Sequence, residues 1–152
     1  ISDYSRLIEL EPGNTYAYEC RAQLYFADRQ MGKAVQDYKE AVRLAPKNAE
    51  NCNELAWLLA TCPKEKVRDG KSAIEYAKKA CELTNFRKWE YLDTLAAAYA
   101  EAADFEEAAK WQEKALEIVL DFPPENVDQK AKQTLEDHLK LFREKKPCRD
   151  KD

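Results

Sequence analysis

The chain has 152 residues, one ordinary domain by length, and Ala, Glu, Lys, Leu and Arg supply over half of them against only three glycines, a balance that favours long helices. Its formal net charge of −4 lacks the basic excess that draws proteins to phosphate backbones, so nucleic acid is not an expected partner. The longest apolar runs, Leu55–Ala60 and Leu95–Ala100, are far too short to span a bilayer, and no signal-peptide pattern opens the chain, so no membrane partner is expected either.

Ser2–Glu11 has the apolar spacing of a short helix through Tyr4, Leu7 and Ile8, and Pro12-Gly13 ends it. Asn14 is placed to cap a helix over Thr15–Ala27, with Tyr18, Ala22 and Tyr25 on one stripe. After a turn at Asp28–Gly32, the return helix runs to Ala45 with Ala34, Tyr38 and Ala41 facing inward, and Pro46 follows. Asn48 caps Ala49–Thr61, whose stripe is Cys52, Leu55, Ala56 and Leu59. A polar loop over Cys62–Gly70 then leads to Lys71–Thr84, with Ala73, Ala77, Ala80 and Leu83 in register.

Trp89–Ala102 follows with Leu92, Leu95, Ala96 and Tyr99, and Asp104 caps Phe105–Leu120, which carries Ala108, Trp111, Ala115 and Ile118. Pro123-Pro124 ends that helix. A last helix over Glu125–Lys145 keeps Ala131, Leu135, His138, Leu139 and Phe142 on one face, and Pro147–Asp152 reads as a loose tail.

Residues 1–14 return, shifted by 34 positions, at 35–48: Asp3/Asp37, Tyr4/Tyr38, Leu10/Leu44, Pro12/Pro46 and Asn14/Asn48 are identical. A period near 34 is the mark of a helical array in which no unit can bury its apolar face alone. The pair Ala22/Ala34 is twelve residues apart and its counterpart Ala56/Ala73 seventeen, so five residues are inserted in the second unit, in the loop 62–70. An insertion there belongs on a solvated edge.

With these units laid out, the chain resembles the tetratricopeptide repeat, whose pattern runs W-x2-L-G-x2-Y, A-x3-F, P. The pattern falls on Tyr18, Arg21, Ala22, Tyr25, Ala34, Tyr38, Ala41 and Pro46 in the first unit. In the second it falls on Cys52, Leu55, Ala56, Leu59, Ala73, Ala77 and Ala80, and in the third on Leu92, Leu95, Ala96, Tyr99, Ala108 and Ala115. Arg21 stands where leucine is usual and Gln112 where an aromatic is usual. The stretches 55–62, 69–83 and 91–116 look particularly like bacterial members.

The resemblance implies an all-α, right-handed α-solenoid of stacked antiparallel helix pairs. Its expected parts are a truncated half-repeat at 1–12, repeats at 14–48, 48–88 and 89–122, a capping helix at 125–145 and a flexible tail at 147–152. It implies a protein–protein interaction scaffold that holds a partner's peptide or helix in a concave groove, with no cofactor and no catalysis. The groove positions fall on Tyr16, Glu19, Gln23 and Phe26, on Glu50, Asn53, Trp57 and Ala60, and on Glu90, Asp93, Ala97 and Ala100. Members that grip a partner's C-terminal carboxylate use lysine, arginine and asparagine at such positions. Only Asn53 survives here, so a basic or neutral partner is expected rather than an acidic tail. Trp57, off the packing pattern, is the candidate apolar anchor with Phe26.

The chain begins in mid-repeat, so it is expected to be part of something longer. The open apolar edge at Ile1–Leu10 offers an alternative reading as a structural spacer or self-association segment. The five cysteines, Cys20, Cys52, Cys62, Cys81 and Cys148, form no C-x-x-C pair, which suggests neither a metal site nor a disulfide framework and fits a reducing, cytoplasmic setting. His138 and Cys148 could form a base and a nucleophile, but no orienting Ser, Asp or Asn accompanies them in the sequence, and His138 reads as a packing residue of the last helix.

Overall fold

The computed structural model describes residues 1–150 and contains eight α-helices and no strand among them. They are α1 (Ser2–Leu10), α2 (Thr15–Ala27), α3 (Met31–Leu44), α4 (Ala49–Thr61), α5 (Gly70–Leu83), α6 (Trp89–Glu101), α7 (Phe105–Leu120) and α8 (Gln129–Arg143). Short 3-10 turns lie at Glu65–Val67 and Pro124–Asn126.

Local chemistry fixes most of the starts. The side chains of Asn14, Asn48, Asp69, Asp104 and Asp128 each accept from a backbone N–H in the first turn of the following helix, at 2.9–3.2 Å. Ends are made differently. Arg29, Asn85, Phe86, Ala103 and Lys145 lie at φ between 51° and 62°. The reversals at α2, α5, α6 and α8 close through Gln30 N–H to Tyr25 O, Phe86 N–H to Cys81 O, Asp104 N–H to Tyr99 O and Lys146 N–H to Leu141 O.

The helices pair as α2/α3, α4/α5 and α6/α7, with α4 and α6 packed side by side, α1 against α2 and α8 closing the stack on α7 and the flank of α6. Each pair carries one small residue on each helix at the pattern's matching positions, Ala22 and Ala34, Ala56 and Ala73, Ala96 and Ala108, all fully buried. The larger core side chains, Leu55, Leu92, Leu95, Leu135 and Phe142, fill the interior where the layers meet. This is an α-solenoid, as the resemblance implied.

Two segments differ from expectation. The loop 62–70 is a polar staple across all three units. Lys64 Nζ donates to the carbonyl of Arg29 in the first turn, and Arg68 Nε pairs with Glu101 at the end of α6, 2.9 Å away. Arg68 also donates to the carbonyls of Cys62 and Pro63. The tail is also held, as far as Asp150: Asp150 N–H donates to Thr61 O at 2.9 Å and Arg149 pairs with the second oxygen of Glu101 at 2.6 Å. A flexible segment at 147–150 is therefore corrected to a docked one, because Glu101 and the end of α4 give its polar groups partners. Residues 151–152 of the expected tail lie outside the described residues.

Gly70 makes the staple's return possible. A Cβ on it would lie 2.8 Å from the backbone nitrogen of Ala102. Gly70→Ala is therefore expected to cost about 1–3 kcal/mol by forcing α5 away from the α6–α7 turn, read as a lower urea midpoint at unchanged slope. Ala103 sits in the left-handed region at φ 62°. Ala103→Gly is expected to gain about 0.5–1 kcal/mol by relieving its Cβ, seen as a higher melting temperature; an unchanged or lower one would show that the turn is unstrained.

Candidate functional site

The first helix of each pair faces a common cleft of about 910 Å³. Phe26 comes from α2, Asn53, Glu54 and Trp57 from α4, and Glu90, Asp93 and Thr94 from α6; Lys130, Thr134 and His138 of α8 and Cys148–Asp150 of the tail complete the wall. The cleft exists because α8 and the tail turn back over the open side of α4 and α6.

At its floor a chain of polar groups crosses four elements. Gln112 of α7, fully buried, donates through Nε2 to Asp93 Oδ1 at 2.7 Å and to the carbonyl of Leu135 at 3.1 Å. Asp93 Oδ1 accepts from His138 Nδ1 at 2.8 Å, and His138 Nε2 lies 3.3 Å from Cys148 Sγ. The imidazole sits between the rings of Trp57 and Phe142, with centroids 6.2 and 6.3 Å away. Burial alone pulls the His138 pKa down, but the hydrogen bonds with Asp93 and Cys148 outweigh it and raise it to about 10. Burial raises the pKa of Glu54, and the carboxylates of Glu50 and Asp150 add to that effect.

The expected groove residues divide into three groups. Gln23, Phe26, Glu50, Trp57 and Glu90 remain exposed or half-exposed, and Phe26, Trp57 and Glu90 line the cleft. Asn53 is 8% exposed, yet its Oδ1 is buried without a partner, and it lies in the cleft wall. Trp57 Nε1 donates to Asp150 Oδ2 at 3.1 Å, so the tail already holds the indole.

The remaining residues have other roles. Tyr16 is 63% exposed but meets Tyr4 of α1 edge to face, away from the cleft. Glu19 accepts from Asn48 and Asn51 at 3.2 and 2.6 Å, a tie between the first and second units. Asp93 is held by Gln112 and His138, and Ala97 is 1% exposed, so neither presents a free contact surface. Ala60 and Ala100 are buried as well. For Asp93 the cause is α8, which supplies His138 and lies against α6. Missing from the sequence-based set were His138 as part of a wired site, Cys148 and Arg149. The spacing between His138 and Cys148 was visible, but their orienter lies 45 residues before His138 and only the fold brings it near.

A raised histidine pKa has a defined sign. Its stabilising effect is complete below the unfolded value near 6.5 and is lost as pH rises through about 10. Urea midpoints are accordingly expected to fall between pH 7 and pH 10. His138→Gln should flatten that fall; an equally steep fall in the variant would assign it to other groups.

The comparisons agree on the architecture. Residues 16–48 match the model of the tetratricopeptide repeat. No curated protein matches the chain. Among solved structures, the chain is similar to the TPR2B domain of yeast Sti1, in a structure described as its complex with pHsp70. That match has a TM-score of 0.70 at 17% identity, over 87% of this chain and 98% of that one. It is also similar to BtubC (BKLC) from P. vanneervenii, with a TM-score of 0.72 at 20% identity over 86% of this chain, though it spans only 56% of that protein. A third is the first TPR of Spaghetti (RPAP3) bound to the HSP90 peptide SRMEEVD, with a TM-score of 0.63 at 18% identity, 85% of this chain and 93% of the other. One repeat, residues 16–48, is thus matched in sequence, and the stacked helix pairs share the fold of these TPR domains in three dimensions.

Proposed function

We propose that the protein is a non-catalytic interaction scaffold that holds an extended peptide of a partner protein along the strip between Phe26, Asn53, Trp57 and Glu90. The observation that carries this reading is the buried, unpartnered Oδ1 of Asn53 in the cleft wall beside an indole whose N–H faces the same space. A peptide N–H is the donor that would satisfy it, and an unsatisfied buried acceptor is costly enough to reward the contact. A solved structure of this fold whose description names a bound peptide supports the same mode.

The charge around the strip favours a basic or neutral segment. Glu54 and Glu90 line it, and the chain's own tail sets Arg149 against Glu101. No helix among the described residues is long and apolar enough to cross a membrane. All five cysteines are free, which fits the reducing, cytoplasmic setting proposed for it.

A second reading rests on α1, which buries none of its residues and leaves Leu10 65% exposed. Such an edge supports self-association, and light scattering across a hundredfold concentration range tests it; a strictly monomeric protein counts against it.

The scaffold reading predicts that Trp57→Ala and the pair Glu54→Lys with Glu90→Lys each weaken capture of a basic peptide at least tenfold, with helicity unchanged by circular dichroism. Binding of the wild type should fall with rising salt. Equal capture by wild type and variants, or a preference for acidic peptides, would retire the groove as the binding surface.

A further inference from the structure

Cys148 differs from the other four cysteines in its neighbours. Cys52, Cys62 and Cys81 are buried, and burial raises the thiol pKa of Cys52 and takes that of Cys81 to about 12, which keeps them as inert thiols. Cys20 is half-exposed. Only Cys148 has an imidazole within reach: His138 Nε2 at 3.3 Å, held from behind by Asp93 at 2.8 Å, which is held in turn by Gln112 at 2.7 Å. A sulfur, an imidazole and a carboxylate in line form the arrangement in which an imidazolium held by the carboxylate stabilises a thiolate. The sulfur is in the wall of the open cleft, on a segment with no helix of its own.

We propose that Cys148 is a reactive thiol and a modification site for low-molecular-weight disulfides, and that its modification lifts the tail off the inner face. In the reaction Cys148 loses its proton to solvent, and the His138 imidazolium, already charged at neutral pH, pairs with the thiolate. The thiolate then attacks one sulfur of the disulfide, a new S–S bond forms at Cys148, and the old S–S bond breaks. The departing thiolate takes a proton from solvent, so Cys148 is oxidised and the released half of the reagent is reduced. Cys148 is only 5% exposed. An adduct on its sulfur cannot remain between His138 and the inner helices without overpacking, so the neighbouring anchors, Asp150 on Trp57 and Thr61 and Arg149 on Glu101, must part. Release of the tail rests on the scaffold reading only for its consequence, which is an uncovered peptide strip.

Oxidised glutathione is the probe, with intact and peptide mass spectrometry of the whole chain. Cys148 is expected to take the first adduct, at least tenfold faster than Cys20, and its rate should stay nearly flat from pH 7.5 to pH 6, where an ordinary thiol slows about tenfold per pH unit. The charged groups facing the pair are Glu54 on α4, Glu90 and Asp93 on α6, Lys130 on α8 and Arg149 and Asp150 on the tail. His138→Gln should slow Cys148 at least tenfold and restore the ordinary slope. Should that variant lose its fold, the wild-type pH profile still decides. A Cys148 rate no faster than that of Cys20, or one with an ordinary pH slope, overturns the reactive thiol. In the glutathionylated protein, amide exchange in the tail should accelerate; unchanged exchange overturns the release. Peptide capture enters none of these measurements, so a failed scaffold reading and a failed thiol reading give different results.

Discussion

The closeness of paired helices is the constraint on which the rest depends, and small side chains permit it. Ala22 and Ala34, Ala56 and Ala73, and Ala96 and Ala108, one on each helix of a pair, are all fully buried, where larger side chains would force the helices apart. A pair joined through such small side chains has little apolar area of its own to hide, and its leucines must find cover on the next pair. Leu55, Leu92 and Leu95 do so. Stacking follows from this, and stacking puts the first helix of every pair on one side. The cleft forms on that side, where α8 and the tail turn back over α4 and α6.

That chain of causes explains what could be read from the residues. The caps Asn14, Asn48 and Asp104 act on a backbone N–H three residues away, so they are visible in the sequence, and the helices they start begin where the pattern puts them. Counting groove positions by repeat puts Phe26, Trp57 and Glu90 on the wall of the cleft. In the third unit α8 lies against α6, where Asp93 is tied to His138 and Ala97 is buried. The counting rule assumes another repeat beyond. A capping helix satisfies the same apolar surface with different polar groups, and nothing local to Asp93 announces it. The staple made by Lys64 and Arg68 was illegible for the same reason, since its partners belong to the first and third units.

The departures from the family pattern are where the polar wiring lies. Arg21, in place of leucine, forks onto both oxygens of Asp37 at 2.7 and 2.8 Å and lies over the rings of Tyr18 and Tyr25. A planar guanidinium can satisfy a carboxylate and cover aromatic faces together, which leucine cannot. Gln112, in place of an aromatic, gives α7 a donor that reaches both Asp93 and the backbone of α8. Each substitution introduces a polar side chain whose N–H groups find an acceptor on a neighbouring helix. Polar groups of this kind lock one packing arrangement more strictly than apolar ones, because any shift leaves them unpaired.

The docked tail changes what binding to this scaffold means. Asp150 on Trp57, Arg149 on Glu101 and Cys148 on His138 are intramolecular contacts, made at the high effective concentration that a short tether provides. A peptide that needs the Trp57 indole must first displace Asp150, and its apparent affinity is reduced by the fraction of molecules in which the tail stays docked. On the proposed reading, the tail shows one chemistry that the strip accepts, an acceptor at the Trp57 indole, while its other anchors at Thr61 and Glu101 lie beside the cleft. Selectivity would then come from competition between two segments for the indole, with the chain's own segment as the reference that any partner has to outbid.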